Sequence, residues 1–423
     1  MVTLCAAGGL GATGLLESNS REVAMDLRFT PEETAFRDEL RRFFRAEIPA
    51  GIRRKAGEGR HLSKQDIVAA HRILNANGLA VPHWPKEWGG RDWLPVQRHI
   101  YTEELQRAAV PLPLQFNVYM VGPVIAAFGS EEQKRRFLPA TANLDIWWCQ
   151  GFSEPGAGSD LASLKTRAER QGDRYVVNGQ KAWTTLGQHA DWIFCLVRTD
   201  REARKQRGIS FLLIDMKTPG ITVRPTVTID GAHEANEVFL DDVEVPAENL
   251  VGEENRGWDY AKFLLANERT GIARIGMSKE RIARVKRLAK ETPAGERTLW
   301  DDPAFRRRVA AVEVELKALE ITQMRVVAAQ SRRDADKPDP ASSILKIKGS
   351  ELQQATTELL LDVAGPYALP YLAGDHEGSN EPPVGPEWAD AVAGLYFNTR
   401  KTSIYGGSNE IQRNIIAKAF LGL

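Results

Sequence analysis

The sequence predicts a multidomain α+β protein, with an N-terminal helical domain, a small β-barrel in the middle and a C-terminal helical bundle. The length of 423 residues exceeds what one hydrophobic core usually supports. Helical periodicity dominates residues 25–145 and 251–423, whereas residues 146–250 hold short strand-like segments separated by turn residues. Residues 1–24 are rich in Gly and Ala and lack either periodicity, so we expect a disordered or spurious N-terminal extension there.

Helix start signals predict the first domain. Residues 30–33 (Thr-Pro-Glu-Glu) supply an N-cap hydroxyl, a proline and two acids in the first turn. Residues 64–78 and 94–109 have helical periodicity, and residues 130–133 (Ser-Glu-Glu-Gln) form a capping box at a further helix start. The domain is therefore expected to be mostly helical.

Seven segments of the middle domain have the composition of strands. They are residues 146–152, 165–170, 174–178, 191–198, 209–216, 221–229 and 236–245. Gly172-Asp173 and Asn178-Gly179 mark tight turns between them. Seven short strands at this spacing indicate a small barrel or sandwich.

In the last domain, helices are predicted for residues 261–277, 303–333 and 340–363, which suit a helical bundle. Residues 366–388 are rich in Pro, Gly and charge, and we expect a loop or lid there.

Composition excludes several classes of protein. Lys plus Arg and Asp plus Glu both number 56, so nothing in the charge balance favours a nucleic acid or an anionic membrane as partner. The three cysteines and seven histidines have no metal-binding spacing, and we expect no metal site. No apolar run is long enough to span a membrane. Residues 1–24 lack the basic start of a secretory signal, and a cytoplasmic protein is expected.

Two neighbouring motifs carry the strongest chemical signal. Residues 151–160 (Gly-Phe-Ser-Glu-Pro-Gly-Ala-Gly-Ser-Asp) follow a strand, and small residues there let backbone N–H groups approach an anion or a polar ring edge. Taken alone, the loop is more typical of a tight turn with an Asp cap. Residues 181–187 (Lys-Ala-Trp-Thr-Thr-Leu-Gly) follow, and Trp183 and Thr185 are predicted to share one strand face, where they suit a flat heterocycle.

Together these motifs resemble those of the acyl-CoA dehydrogenase family, over roughly residues 25–423. The resemblance implies the fold of that family and FAD as cofactor. It places Phe152 and Ser153 at the isoalloxazine edge and Ser159 near the pyrophosphate and the CoA substrate. It also implies that Trp183 flanks the ring and that Thr185 bonds near N5.

The C-terminal motif, residues 405–413 (Tyr-Gly-Gly-Ser-Asn-Glu-Ile-Gln-Arg), resembles a family segment in which the catalytic glutamate directly follows the tyrosine. Gly406 occupies that position and has no side chain to take a proton. The resemblance assigns the Gly406 N–H to polarisation of the thioester and Tyr405 to substrate binding. It also assigns cofactor binding to Gly407, Ser408 and Glu410.

Glu268 is the alternative base, because it lies in the apolar stripe of the predicted helix 261–277, four residues after Leu264. Buried carboxylates need a partner or a task, and desolvation would raise the pKa toward that of a general base. Spacing alone leaves open a structural pair with Arg269 or Arg274. The resemblance favours catalysis, since isovaleryl-type and long-chain-type members carry a Glu-Arg pair on this helix, and it assigns Arg269 to substrate binding.

The implied reaction is α,β-dehydrogenation of an acyl-CoA to a trans-2-enoyl-CoA, with electrons passing to an electron-transfer flavoprotein. Family tetramers grip FAD through two segments of a neighbouring subunit, but residues 295–300 and 361–365 depart from both patterns. We therefore expect a tetramer, which could also be a heterotetramer with a second dehydrogenase-like subunit. The resemblance to pimeloyl-CoA dehydrogenase and to steroid-side-chain acyl-CoA dehydrogenases suggests this second arrangement. The alternatives to a dehydrogenase are an acyl-CoA oxidase and a non-catalytic partner subunit. The sequence is compatible with dicarboxylyl-CoA, steroid-derived and plain fatty acyl-CoA substrates.

Overall fold

The computed structural model describes residues 28–268, 271, 273–330, 341–370 and 384–422, except for the side chains of 266–268 and 329–330. The N-terminal region is helical, as predicted. Its helices are α1 (Pro31–Glu47), α2 (Ala50–Glu58), α3 (Lys64–Ala76), α4 (Pro95–Arg107), α5 (Gly122–Phe128) and α6 (Glu131–Ala142). Thr30 and Ser130 form the predicted capping boxes of α1 and α6. A π-helical turn, Phe116–Val121, precedes α5, and such turns are frequent at functional sites.

The middle region is one curled seven-stranded sheet. Each strand overlaps a predicted segment: β1 (Trp148–Gly151), β2 (Arg167–Gln171), β3 (Arg174–Lys181), β4 (Trp192–Arg198), β5 (Ile209–Asp215), β6 (Ile221–Val227) and β7 (His233–Pro246). The tight turn predicted at Asn178-Gly179 is wrong, because β3 continues through both residues with a shift in its pairing to β7. The order is β1-β4-β2-β3-β7-β6, and β5 pairs with β4. Strand β4 is buried on both faces, which explains its unbroken apolar sequence.

Two cores meet at strand β4 because side chains alternate across it. Phe194 and Leu196 face a core shared with the N-terminal helices, whereas Ile193 and Cys195 face the interior of the sheet. Burial raises the pKa of the Cys195 thiol to about 11, so the thiol stays protonated at neutral pH.

The C-terminal region is a helical bundle, as predicted. Its helices are α7 (Gly257–Glu268), α8 (Ile275–Glu291), α9 (Pro303–Gln330), α10 (Ala341–Ala364), α11 (Val392–Thr399) and α12 (Asn409–Ile416), with a small hairpin of β8 (Pro293–Ala294) and β9 (Arg297–Thr298). Helix α10 packs against α8, α9, α11 and α12. Within the described ranges, none of the helices is both long enough and apolar enough to cross a membrane.

The prediction of one helix over residues 261–277 is wrong. The segment is divided between α7 and α8, and Arg274 before α8 has a left-handed φ of 52°, which an α-helix cannot contain. Ala273 packs so closely on α10 that a Cβ on Gly349 would lie 2.6 Å from its Cα. Tertiary packing therefore fixes a break that helical periodicity does not reveal. Most of the predicted lid, residues 371–383, lies outside the described residues.

Candidate active site

A buried ion pair anchors the glycine-rich loop. The Lys181 ammonium lies 2.8 Å from the Glu154 carboxylate, and both side chains are almost fully buried. Glu154 also accepts hydrogen bonds from the backbone N–H groups of Lys165 and Thr166. Burial alone raises the pKa of the Glu154 carboxyl, but the Lys181 charge and these hydrogen bonds together hold it below its usual value. The buried Glu154–Lys181 pair thus holds the loop in place, and the sequence analysis did not identify it.

The two sequence motifs lie side by side, as their resemblance to flavin-binding motifs implies. The Ala182 N–H donates to the Ser153 carbonyl at 2.8 Å, which joins the segment after β3 to the loop after β1. The Glu154 and Ala157 backbones bond to each other reciprocally, so Pro155 and Gly156 form an exposed turn. The structure therefore brings both motifs to one edge of the sheet.

The prediction that Trp183 and Thr185 share a strand face is wrong. Strand β3 ends at Lys181, and Trp183 has a left-handed φ of 59°. The turn is held by bonds from Thr184 N–H to the Asn236 carbonyl and from Leu186 N–H to the Glu234 carbonyl. Trp183 is left 65% exposed, and Thr185 is half-buried. Strain at an exposed aromatic residue is typical of a ligand-binding position.

The residues of this edge fit a flat heterocycle. The exposed Trp183 indole is available for stacking, and a Cβ added at Gly156 or Gly158 would meet nothing within 4 Å. Ser159 is exposed beside this open space, and Ser153 is half-buried. The fit is through backbone and polar groups, which matches a cofactor that needs close backbone approach.

Phe152 differs from the other predicted cofactor residues, because its ring is buried. It packs edge-on against Phe194 and Phe211, with ring centroids 5.7 and 6.2 Å away. Its backbone carbonyl accepts a hydrogen bond from Lys181. Any contact of Phe152 with a ligand at this edge is therefore made by its backbone.

The C-terminal motif forms a compact turn before α12. Gly406 and Gly407 have left-handed φ values of 64° and 78°, which glycine adopts without strain. The Gln412 amide approaches both glycine carbonyls at 3.4 Å, and Ser408 caps α12 through the N–H of Ile411.

Exposed polar groups flank this turn. Tyr405 is 44% exposed. Backbone hydrogen bonding at the start of α12 lowers the pKa of the exposed Glu410 carboxyl. Among the residues that the structure describes, no acceptor is bonded to the Gly406 N–H.

The candidate base Glu268 is the last residue of α7, but its side chain and the whole of Arg269 lie outside the described residues. The part of the predicted apolar face that is described agrees with the sequence. Ala261 and Leu264 are buried, and Leu265 packs against the same core. Glu268 follows Leu264 by four residues, which places its backbone position on that face.

A buried cationic group near the C-terminal motif was also missed by the sequence. Arg281 on α8 is only 7% exposed, and its charge acts on Tyr405 and Arg274. The sequence contains a pattern that could have indicated this group, since Arg274, Ser278 and Arg281 are spaced three or four residues apart. It could not be used while the helix break before Ile275 was unknown.

The two segments that depart from the family's FAD-gripping patterns lie side by side. They line a cleft of about 460 Å³, to which Leu299 contributes from the first segment and Leu361 from the second. The cleft also contains Asp302, Asp362 and one arginine, Arg308. Arg308 is already paired with Asp362 at 2.7 Å, so the cleft has a net negative charge and is unsuited to a pyrophosphate.

Comparison with known families and proteins fits this order of elements. The chain matches the N-terminal domain of acyl-CoA dehydrogenase over residues 30–145, the middle domain over 149–243 and the C-terminal domain over 255–421. A helical–β–helical chain with these three domains is an oxidoreductase that acts on acyl-CoA. The protein belongs to the acyl-CoA dehydrogenase family, whose members are FAD flavoproteins.

Relatives of known sequence cover nearly the whole chain. Acyl-CoA dehydrogenase IpdE1 of Mycobacterium tuberculosis is 37% identical over 88% of this chain and 92% of its own length. Acyl-CoA dehydrogenase FadE29 of the same organism is 34% identical over 94% of this chain and 98% of its own length.

Solved structures agree with the fold. The crystal structure of the ChsE4-ChsE5 complex from Mycobacterium tuberculosis matches with a TM-score of 0.79 and 32% identity, over 94% of this chain and 99% of that chain. The Tcur3481-Tcur3483 steroid ACAD matches with a TM-score of 0.81 and 30% identity, over the same shares. The chain thus shares its fold and family with steroid-type acyl-CoA dehydrogenases.

Proposed function

We propose that this protein removes the α-proton and the β-hydride of an acyl-CoA thioester to give a trans-2-enoyl-CoA, with FAD as cofactor. The proposal rests on one observation at the edge of the sheet. The hydrogen bond from the Ala182 N–H to the Ser153 carbonyl joins the glycine-rich loop to the Trp-Thr segment, where Trp183 is exposed and has a left-handed backbone. An exposed indole at a glycine-rich loop supplies stacking and backbone contacts to a flat ring. When bound, FAD supplies the hydride acceptor.

The residues proposed to hold FAD are those at this edge and at the C-terminal turn. Ser153, Trp183 and Thr185 face the ring, and Ser159 lies near the pyrophosphate and CoA. Gly407, Ser408 and Glu410 belong to the same proposed cofactor site. Ser408 fits this role through its backbone, because its hydroxyl caps α12.

Glu268 is proposed as the base that takes the α-proton, and the Gly406 N–H as the donor that polarises the thioester carbonyl. Gly406 itself has no side chain, so the base must come from elsewhere. The Gly406 N–H has no acceptor among the described residues, which leaves it available to a developing oxyanion. Arg269 and Tyr405 are proposed to contact the substrate. General base catalysis of this kind contributes roughly 10²- to 10⁴-fold to the rate.

We propose further that the chain works in a heterotetramer with a second acyl-CoA dehydrogenase-like subunit. A like subunit would offer a neighbouring FAD the cleft with Asp302 and Asp362, where the pyrophosphate would meet negative charge. Two of the similar structures, ChsE4-ChsE5 and Tcur3481-Tcur3483, are complexes of two differently named proteins. Electrons are proposed to leave through an electron-transfer flavoprotein, and the protein to act in the cytoplasm.

The test is anaerobic flavin reduction. Purified protein, alone and co-expressed with a neighbouring dehydrogenase-like gene, is mixed with straight-chain, dicarboxylyl and steroid-derived acyl-CoA esters while the flavin absorbance is followed. Bleaching by one class of ester, with release of an enoyl-CoA, is expected. A fully loaded and active homotetramer would contradict the heteromer, and bound flavin that no ester bleaches in either preparation would contradict the dehydrogenation.

A further inference from the structure

One guanidinium group in the C-terminal bundle is buried without a counterion. Arg281 of α8 is 7% exposed, its Nη1 has no hydrogen-bond partner, and it forms no ion pair within the part of the chain that the structure describes. Burial and the neighbouring Arg284 lower the pKa of Arg281 to about 10. Buried charges are normally paired, because an unpaired one loses several kcal/mol of solvation. The group therefore calls for an anionic partner beyond the residues that the structure describes.

A second orphaned group lies on the same face of α8. The Ser278 hydroxyl is fully buried and has no hydrogen-bond partner, and Ser278 precedes Arg281 by three residues. Arg274 lies one turn further toward the N-terminus and interacts electrostatically with Arg281. Ser278 and Arg281 thus share one face of α8, and Arg274 lies just before the start of that helix.

The neighbouring carboxylates do not neutralise Arg281. Glu280 points to Arg284, at a long 3.9 Å, and burial raises the pKa of its carboxyl. The Glu58 carboxylate forms an ion pair with Arg60, at 2.6 Å from the Arg60 Nε. Among the described residues, the positive charge of this face is therefore in excess over the acids around it.

This cationic group lies between the C-terminal motif and the π-helical turn before α5. Arg281 acts electrostatically on Tyr405, the residue before Gly406. Arg274 lies 3.4 Å from the Gln115 side-chain oxygen and acts on Tyr119, both at the π-helical turn before α5. Arginine and serine side chains between these two elements suit an oxygen-bearing group more than a hydrocarbon.

We infer that Arg281, with Ser278 and Arg274, binds a carboxylate at the far end of the acyl group, so that the substrates are dicarboxylyl-CoA thioesters. The inference rests on the proposed dehydrogenation and narrows its substrate class. A carboxylate supplies the missing negative charge and accepts two parallel N–H bonds from a guanidinium. A neutral group at the far end of the acyl chain, such as a ketone, would accept a hydrogen bond from Arg281. It would leave the positive charge of the buried guanidinium uncompensated.

The test compares thioesters that differ only in the distal group. Adipoyl-, pimeloyl- and suberoyl-CoA are paired with hexanoyl-, heptanoyl- and octanoyl-CoA on the FAD-loaded enzyme, with its partner subunit if one co-purifies. Anaerobic flavin reduction gives KM and kcat, and calorimetry in the Glu268→Gln background gives Kd. At least one dicarboxylyl ester is expected to bind about 10- to 100-fold more tightly than its matched partner, the range for a charged hydrogen-bonded pair.

The variant is Arg281→Met, which keeps the unbranched aliphatic part of the side chain and removes the charged guanidinium. It is expected to lose the 10- to 100-fold preference, roughly, while the monocarboxylyl esters change little. Its Tm is expected to stay level or rise, because an unpaired buried charge has been removed. Arg287→Met on the same helix is the control, since Arg287 is exposed and pairs with Glu291 at the surface.

A preference for the monocarboxylyl ester in every pair would overturn the inference. So would an equal loss for both classes of ester in Arg281→Met together with a lower Tm, the result for a structural arginine. If Kd shows the dicarboxylyl preference but no ester reduces the flavin, the carboxylate site stands and the proposed dehydrogenation fails.

Discussion

The Lys181 ammonium bonds to the Glu154 carboxylate inside the β domain, directly beneath the loop that carries Ser153 and Ser159. The same ammonium donates to the carbonyls of Phe152 and Leu196. One buried cation thus ties the loop to β3 and to β4. The loop is presented to a ligand as a rigid surface rather than a mobile one.

Removing that cation is expected to unfold the loop and weaken the domain. Lys181→Met leaves the Glu154 carboxylate buried without its partner, which costs about 3–5 kcal/mol of unfolding free energy. Urea denaturation measures the loss, and flavin content measures the effect on the loop. Lys205→Met is the control, because Lys205 pairs with Asp160 of the same loop at the exposed surface, where solvent screens the interaction and little stability is lost. Equal effects of the two substitutions would contradict this reading.

Mild acid is expected to destabilise the N-terminal helices through His71. The His71 ring is buried, its Nε2 donates to the Ala142 carbonyl, and burial lowers its pKa to about 4. Between its unfolded pKa of about 6.5 and pH 4 the unfolded chain binds the proton and the folded chain does not. Stability therefore falls as pH drops through this window, by about 3 kcal/mol in all.

The measurement is the free energy of unfolding between pH 8 and about pH 5, for wild type and His71→Gln. Glutamine can donate the same hydrogen bond without titrating, so the variant is expected to have a flatter profile. An equally steep profile in both proteins would show that His71 is not the group responsible.

Trp183 is expected to lower the stability of the apoprotein and to strengthen FAD binding. Its left-handed backbone costs about 1–2 kcal/mol, and its exposed indole recovers little of this by burial. Asn tolerates that backbone region, so Trp183→Asn is expected to keep or raise the Tm of the apoprotein while weakening FAD binding by about tenfold or more. A lower Tm with unchanged flavin affinity, measured by fluorescence titration, would mean that the indole is structural.

The sequence predicted the three regions and all seven strands of the middle sheet, because alternation, capping residues and turn residues are local signals. It failed at residues 261–277, where the break depends on Ala273 packing against Gly349, some 75 residues away in the chain. It also failed at Trp183, because the turn there is held by Asn236 and Glu234 from β7 rather than by its own sequence. Such contacts carry no local pattern.

The same limit applies to the candidate site. The loop, the Trp-Thr segment and the glycine pair were found as motifs, and the structure shows the first two joined through Ser153 and Ala182. The Glu154–Lys181 pair and Arg281 were not found, since burial decides their importance. A charged residue in the sequence is indistinguishable from a solvated one until its surroundings are known.

One substitution shows directly whether Glu268 is the base that takes the α-proton. Glu268→Gln is expected to retain FAD while anaerobic bleaching of the flavin by the best acyl-CoA slows by about 10²- to 10⁴-fold. Asp259→Asn is the control on the same helix, because Asp259 pairs with Arg256 and Lys262 at the surface. Its bleaching rate is expected to match wild type. Bleaching at the wild-type rate in Glu268→Gln, with FAD bound, would contradict the account and place the base elsewhere.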